Sequence, residues 1–310
     1  MIIPAYNEDR SLSELTGRAV QVLSSAGFSG EVIIVNDGST DKTKEVVDEL
    51  VKKYDIIKAF HHRRNLGKSA SLRTGFDKAR GTIIVMLDAD LQYAPEDIPK
   101  LIDMINKGYD VVNGWRKSRA DSIGRKASSS FYNFLTRQIF GLTIQDFNSG
   151  LKAFRREVIE DIETTGLRSD FHRYLLPLAH QLGYRVGEIE IQHFPRSYGK
   201  TRYGTRRLIL GVLDLISLKL QFLFRERPMT LFGISGISLL FLGGIFGVYV
   251  VLLKLLYREP FEHHLALLLL SVLLIIAGLQ SFFFGFLADI LATFRLELLE
   301  RMKTERRSET

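Results

Sequence analysis

Two aspartates, Asp88 and Asp90, stand one residue apart at the end of the apolar run Ile83–Leu87 in "TIIVMLDADLQY". Five consecutive apolar residues predict a strand buried on both faces. Carboxylates at the end of such a strand face the crevice where open α/β sheets bind ligands. Both can reach one divalent cation. Magnesium and manganese prefer hard oxygen donors completed by water and substrate phosphate oxygens. Gln92 adds a neutral carbonyl oxygen two residues on. The plain alternative for an isolated Asp-x-Asp is a helix N-cap, since "YAPED" opens a helix.

The elements that must hold these groups follow from periodicity. "MIIPAYNE" starts with a short strand stopped by Pro4, and a helix is expected from about Ser11 to Ser25. Strands follow at Val32–Val35 and near Asp55–Phe60, with Ser39–Asp41 placed to cap the helix after the first of them. Next come a helix over Lys68–Lys78, the strand Thr82–Leu87, the helix opened by "APED", and a strand at Asp110–Val112. This alternation predicts a parallel, doubly wound α/β sheet. The loops "PAYNE", "NDGS" and "DAD" then share its ligand-binding edge. So little chain precedes Pro4 that a start upstream of Met1, or a trimmed chain, is expected.

These loops carry a second set of candidate residues. Asp37 can accept bonds from a nucleobase or ribose, and Gly38 lets the backbone turn close to it. Tyr6 offers a wall and Glu8 a ribose acceptor, while Arg64, Gly67 and Lys68 can meet phosphate or base. "GKS" is not a P-loop, because His62 stands where its first glycine is needed. His61 and His62 are adjacent on an extended segment and point opposite ways, so they form no metal site. A hydrolytic carboxylate pair is excluded as well, since it needs an acid and a base on either side of a sugar.

"IPAYNE", "NDGSTD", "RNLGKSASLRTGF", "LDADLQYAPEDIPKLI", "GYDVVNGWR" and "DFNSGLKAFRREV" occur in this order. Together they resemble the family 2 glycosyltransferases with the GT-A fold, a Rossmann-like, mostly parallel sheet. Within them they resemble the branch of dolichol-phosphate mannose synthases and bactoprenol glucosyltransferases. The resemblance implies that Pro4, Tyr6, Glu8, Asp37 and Lys68 hold a nucleotide diphosphate sugar, with Asp88 assisting. It implies that Asp90 and Gln92 bind the Mg2+ or Mn2+ ion. It also assigns Arg116, Arg125 and Arg196 to the phosphate of a polyprenyl phosphate acceptor, and Asp146 to orienting near the reacting sugar. Asp88, Asp90, Asp146 and Arg116 are therefore the expected catalytic set. Other basic residues nearby, Arg119, Lys126, Lys200 and Arg202, can attract a membrane surface.

The remainder of the chain is apolar in a different way. Leu231–Leu253 and Leu265–Ala288 are almost free of charge, and each is long enough to cross a bilayer. Ahead of them, Arg207–Phe224 places Leu208, Val212, Leu215, Leu218 and Phe222 near one face, as an in-plane helix on the membrane surface would. The expected organisation is a GT-A domain over 1–205, an interfacial helix region over 206–228, spans over 229–256 and 265–294, a short outer loop over 257–264, and a basic tail over 295–310. Five basic residues after the second span place both chain ends on the cytoplasmic side. Asp289 either reaches the inner interface near Arg295 or makes a contact within a homo-oligomer. "SFFFGF" is read as a lipid-facing or helix-packing surface.

Composition narrows the rest. No cysteine is present, which excludes disulfide scaffolds, thiolate zinc sites and a cysteine nucleophile. No cleaved secretory signal opens the chain. The net charge of +7 gathers near the membrane segments and in "HHRRNLGK" without the aromatic spacing of a nucleic-acid platform, so nucleic acid is not an expected partner. A processive polysaccharide synthase would carry Gln-x-x-Arg-Trp, but the sole tryptophan is Trp115 in "GWR". Transfer to a lipid hydroxyl, dolichyl-phosphate mannosyl transfer from GDP-mannose and a non-catalytic membrane partner are the remaining alternatives. Two spans resemble the bactoprenol glucosyltransferase arrangement, which favours a UDP-sugar and, among these, UDP-glucose.

Overall fold

A computed structural model describes residues 1–117, 123–164, 171–195, 206–226 and 228–308. The chain divides into two compact units, Met1–Leu213 and Asp214–Thr310. The first is built on seven strands: β1 Ile2–Ala5, β2 Val32–Asn36, β3 Ile57–His61, β4 Ile83–Met86, β5 Val111–Trp115, β6 Lys152–Arg155 and β7 Val186–Glu190. Their order across the sheet is β3-β2-β1-β4-β6-β5-β7. β1, β2, β3 and β4 run parallel, as do β5 and β7. β6 enters between β4 and β5 antiparallel to both.

The helices expected from periodicity are present: α1 Leu12–Ser25, α2 Thr43–Lys53, α3 Lys68–Lys78 and, after a 3-10 turn at Pro95–Asp97, α4 Ile98–Asn106. α5 Ile123–Phe140, α6 Arg156–Thr164 and α7 Leu175–Gln181 also belong to the first unit. Every residue of β2 is buried, as a strand covered on both faces requires. α4 buries Ile98, Leu101 and Ile105, one stripe of a 3.6-residue period. Each aliphatic side chain so buried contributes about 1.5–3 kcal/mol.

α8 Arg206–Glu226 contains the division between the units. Two residues of its apolar stripe are buried, Leu215 at 0% exposed and Leu218 at 3%. The exposed apolar residues are Leu213, Ile216 and Leu220.

The second unit also holds α9 Pro228–Tyr257 and α10 Leu265–Ser308, joined by a short turn containing a 3-10 segment at Phe261–His264. Phe232–Tyr257 and Phe261–Phe294 are long and apolar enough to cross a membrane. α10 has 44 residues, so the basic segment expected as a tail continues the helix to Ser308. Asp289 is exposed on α10. The two helices meet on small residues spaced by seven: Gly236 and Gly243 on α9, and Ser271, Gly278 and Gly285 on α10. A Cβ on Gly278 would stand 2.8 Å from the Gly236 carbonyl oxygen, and one on Gly243 would stand 2.9 Å from that of Ser271. Ser271 Oγ donates to Gly243 O at 2.7 Å, and Ser281 Oγ to Phe232 O at 3.0 Å. Backbones this close let dispersion and hydroxyl bonds join helices that gain nothing from the hydrophobic effect in lipid.

Gly278→Leu is expected to lower the melting temperature of the detergent-solubilised protein, through overpacking of about 1–3 kcal/mol. Gly244 has nothing within 4 Å of its would-be Cβ, so Gly244→Leu should melt like the wild type. Equal melting of the two variants would contradict the close contact.

Candidate active site

The edge at the carboxyl ends of β2, β1 and β4 carries the loops expected to meet the donor, and they are tied to one another. Asn7 adopts φ +57° and bridges the first two: its N–H donates to Ser39 Oγ at 2.9 Å, and its Oδ1 accepts from Thr40 N–H at 2.9 Å. Glu8 accepts from Ser11 Oγ at 2.8 Å, while Pro4 and Tyr6 are half-buried in the same loop. Gly38 has φ +64°, and a Cβ there would lie 2.3–2.8 Å from the backbone of Arg64. Glycine is needed on both counts.

Asp37 is the residue that brings Arg64–Gly67 across. Its carboxylate is 3% exposed and accepts from Leu66 N–H at 2.9 Å and Gly67 N–H at 2.8 Å. His62 Nδ1 lies 2.8 Å from Asp37 Oδ1, and its Nε2 lies 2.9 Å from Thr74 Oγ1. Asp37 thus fixes the loop that delivers Lys68. His61 points the other way, to Asn36 and Asp48. The expectation of opposite directions holds, and what spacing could not show is that His62 meets Asp37.

Lys68, the first residue of α3, forms a close ion pair with Asp88 just beyond β4. Leu91 then takes φ +58°, a left-handed conformation that costs a non-glycine residue about 1–2 kcal/mol. The resulting turn brings the Gln92 N–H to Asp90 Oδ1 at 3.3 Å. The Gln92 main chain accepts from Phe194 N–H at 3.0 Å, and its Nε2 donates to Phe194 O at 3.4 Å. With the amide nitrogen so used, the carbonyl end of Gln92 remains the oxygen donor. Asp90 and Gln92 suit a hard cation such as Mg2+ or Mn2+. Among the described residues no group of three or more His, Cys, Asp or Glu could hold a metal, so substrate and water oxygens would have to complete the shell.

The other half of the site comes from β6. Because that strand is antiparallel, the turn before it lies at the same edge as Asp88. A Cβ on Gly150 would fall 2.4 Å from Asp88 Cγ and 2.7 Å from Tyr93 Cε2. Asp146 is 0% exposed and receives Arg116 through Nε at 2.7 Å and Nη2 at 3.0 Å. The Arg116 guanidinium also lies 5.9 Å from the centroid of the Tyr93 ring. Burial pushes the Tyr93 phenol pKa up, against the pull of Arg116 and with the help of Asp88 and Asp146, so it remains protonated.

Glu188 of β7 supports this turn, accepting from Gln145 N–H at 2.7 Å, Asp146 N–H at 3.0 Å and Asn113 Nδ2 at 2.8 Å. Burial raises its pKa, and those three donors oppose the shift.

The structure therefore unites Lys68, Asp88, Asp90, Gln92, Arg116 and Asp146 on one edge of the sheet, with Asp37 behind its loop. Arg116 is committed by two nitrogens to Asp146, a contact its assignment to an acceptor phosphate did not include. The side chain of Arg125 and the whole of Arg196 lie outside the described residues. Asn113, Gly150, Tyr93 and Glu188 were missed, because only the reversed direction of β6 brings them together. Gly150→Ala would push Asp88 aside, and a misplacement near 1 Å costs about 100-fold in rate. The expected outcome is a folded protein whose sugar-transfer kcat falls by about that factor. Circular dichroism and kinetics on the same preparation would check it.

Comparison with known proteins identifies the family and the fold. Residues 1–163 match the profile described as glycosyl transferase family 2. The chain is 32% identical over 291 residues to an undecaprenyl-phosphate 4-deoxy-4-formamido-L-arabinose transferase of Edwardsiella ictaluri, covering 93% of this chain and 87% of that protein. To the protein of the same name from Pseudomonas paraeruginosa it is 30% identical over 293 residues, covering 94% and 84%. Among solved structures, glucosyl-3-phosphoglycerate synthase from Mycobacterium tuberculosis, in complex with Mn2+, UDP and phosphoglyceric acid, superposes with a TM-score of 0.52 at 20% identity. That likeness covers 69% of this chain and 76% of the other, and it concerns the fold: a mixed, mostly parallel GT-A-like sheet. With a shared profile over more than half its length and relatives matched almost end to end, the chain belongs to glycosyltransferase family 2.

Proposed function

We propose that this enzyme transfers one sugar from a nucleotide diphosphate sugar to the phosphate of a polyprenyl phosphate at a membrane surface. The observation that carries the reading is the contact between two motifs: the Asp88–Gln92 turn and the Asp146–Gly150 turn meet at the Asp88 carboxylate. A donor site and an acceptor site built on them would share one reacting centre. The acceptor is supported by the relatives, which are named for undecaprenyl-phosphate, and by the two apolar helices. A UDP-sugar is supported by the fold neighbour solved with UDP and Mn2+. The basic residues after the second span support a cytoplasmic site for the catalytic unit and both chain ends.

In this mechanism Pro4, Tyr6, Glu8 and Asp37 form the nucleoside side, and Lys68 and Asp88 stand at the diphosphate and sugar. Asp90 and Gln92 would hold the divalent cation, whose charge when bound stabilises the departing diphosphate. The bond from the anomeric carbon to the donor's β-phosphate oxygen breaks, and its electron pair leaves with the nucleoside diphosphate. A bond from the acceptor phosphate oxygen to that carbon forms from the opposite face, inverting it. A phosphate monoester has its second pKa near 6, so the nucleophile enters ionised and no proton need be removed. Arg116, Arg125 and Arg196 supply the positive charge that positions it. Asp146, fully buried and held by both Arg116 nitrogens, orients rather than takes a proton. A hydroxyl acceptor would need that proton taken, which makes it the weaker reading.

The sugar is proposed within the UDP series. UDP-glucose, suggested by the two-span arrangement, and UDP-linked 4-deoxy-4-formamido-L-arabinose, the sugar in the relatives' name, head the panel to test. The experiment is transfer by the detergent-purified protein from labelled UDP- and GDP-sugars to undecaprenyl or dolichyl phosphate, with Mn2+, Mg2+ or EDTA. A lipid-linked product from one donor, lost with EDTA and reduced at least about 100-fold by Asp90→Ala, is expected. Product on a lipid hydroxyl, or no product while UDP still binds, would overturn the proposed acceptor.

A further inference from the structure

Lys152 opens β6 and is 2% exposed, although lysine is almost never fully buried unless paired. Sheet register sets it beside Met86 of β4 on one side and Asn113 of β5 on the other. Met86 is two residues from Asp88. Asn113 holds both the Glu188 carboxylate and the Asp146 carbonyl through its Nδ2. The Lys152 ammonium itself donates to the Ser149 carbonyl in a close contact. Ser149 leads directly into Gly150, whose backbone lies against the Asp88 carboxylate. The cation thus sits where the two halves of the site join.

Four charged groups act on it: Lys68 and Arg116 oppose its charge, while Asp146 and Asp88 favour it. Burial has the largest effect, and the net result is a pKa lowered to about 7. The unfolded chain would hold this proton up to about 10.5, so the buried charge carries a penalty that is full below about pH 7 and fades as the pH rises through that window. A methionine of similar shape would fill the space without that penalty. The ammonium therefore weakens the fold at the very position where it touches the site.

We propose that Lys152 is a positioning residue for sugar transfer, holding the Ser149–Gly150 turn under Asp88 and adding positive charge beside Asp88 and Asp146 as anionic substrates bind. The inference rests on the proposed reaction. Its physical basis is that two phosphate-bearing substrates converge on two carboxylates, and preorganised charge in a dry site counts for more than charge in water. Lys68 lies at the exposed side of Asp88 and can shift when a donor arrives. Lys152, held inside the sheet, cannot.

Lys152→Met and Lys152→Arg, made in the full chain, would be compared with wild type for kcat, donor KM, UDP affinity in Mn2+ by calorimetry, and melting temperature at pH 7. The Met variant is expected to lose about 100-fold in kcat, to keep its UDP affinity and to melt no lower than wild type. A lysine with only a structural role would give the reverse, a lower melting temperature with kcat little changed, and that overturns the proposal. So does unchanged kcat. If the Met variant does not fold, the Arg variant decides: folded with most of its turnover it supports the proposal, and folded but inactive it overturns it. Wild type that binds UDP yet transfers to no polyprenyl phosphate would count against the acceptor, and the variants would then be read on donor hydrolysis.

Discussion

Because β6 runs against β4 and β5, its first residue, Lys152, stands beside Met86, the last residue of β4, and beside Asn113 in the middle of β5. The turn that precedes it is thereby carried to the edge where the parallel strands end. Had β6 run parallel, the Asp146–Gly150 turn would lie at the far side of the sheet. The contact this makes is tight enough to dictate a residue: no side chain fits between the backbone at Gly150 and the carboxylate of Asp88. The groups proposed for donor and acceptor are thus fixed relative to each other by backbone, not by the reach of flexible side chains.

Electrostatics then follows from packing. The site gathers Asp88, Asp146, Lys68, Lys152 and Arg116, and each carboxylate among them has a specific cationic neighbour. The pairs differ in burial. Arg116 and Asp146 are nearly removed from water, so their two-point contact is locked. Lys68 and Asp88 remain about a quarter exposed, and a partly exposed pair is weaker and easier to rearrange. In the proposed reaction the exchangeable pair lies on the donor side and the locked one on the acceptor side. That division fits a leaving group that must be neutralised during the reaction and an acceptor-side residue that need only stay in place.

The parallel half of the sheet was legible because its signals are local. Unbroken apolar runs gave β2 and β4, and "DAD" and "NDGS" followed from their ends. The helix limits at Lys68–Lys78 came from the same reasoning. Strand direction is not local, so β6 and the residues it recruits, Gly150, Asn113 and Glu188, could not be found by spacing. Asp37 was found for its chemistry, but its bonds to Leu66, Gly67 and His62 depend on a crossing at Gly38 that involves residues some thirty positions apart. On α8 periodicity identified an apolar stripe, and two of its residues, Leu215 and Leu218, are buried. A stripe reports that a face avoids water, not whether protein or lipid covers it.

The two long apolar helices extend the same logic of close backbone contact. Sequence hydropathy marks Phe232–Tyr257 and Phe261–Phe294 as long and apolar enough to span a membrane but says little about how they meet. Small residues at seven-residue intervals on both helices supply that information. A seven-residue period is slightly shorter than two helical turns, so the contact line drifts unless the helices wrap gently left-handed around each other. In lipid the surrounding leucines and isoleucines are neutral to such pairing, and the serine hydroxyls and touching backbones decide it. For an enzyme whose proposed acceptor keeps its tail in the bilayer, a hairpin joined in this way needs no bulky interface of its own, and its large apolar side chains stay free to face the lipid.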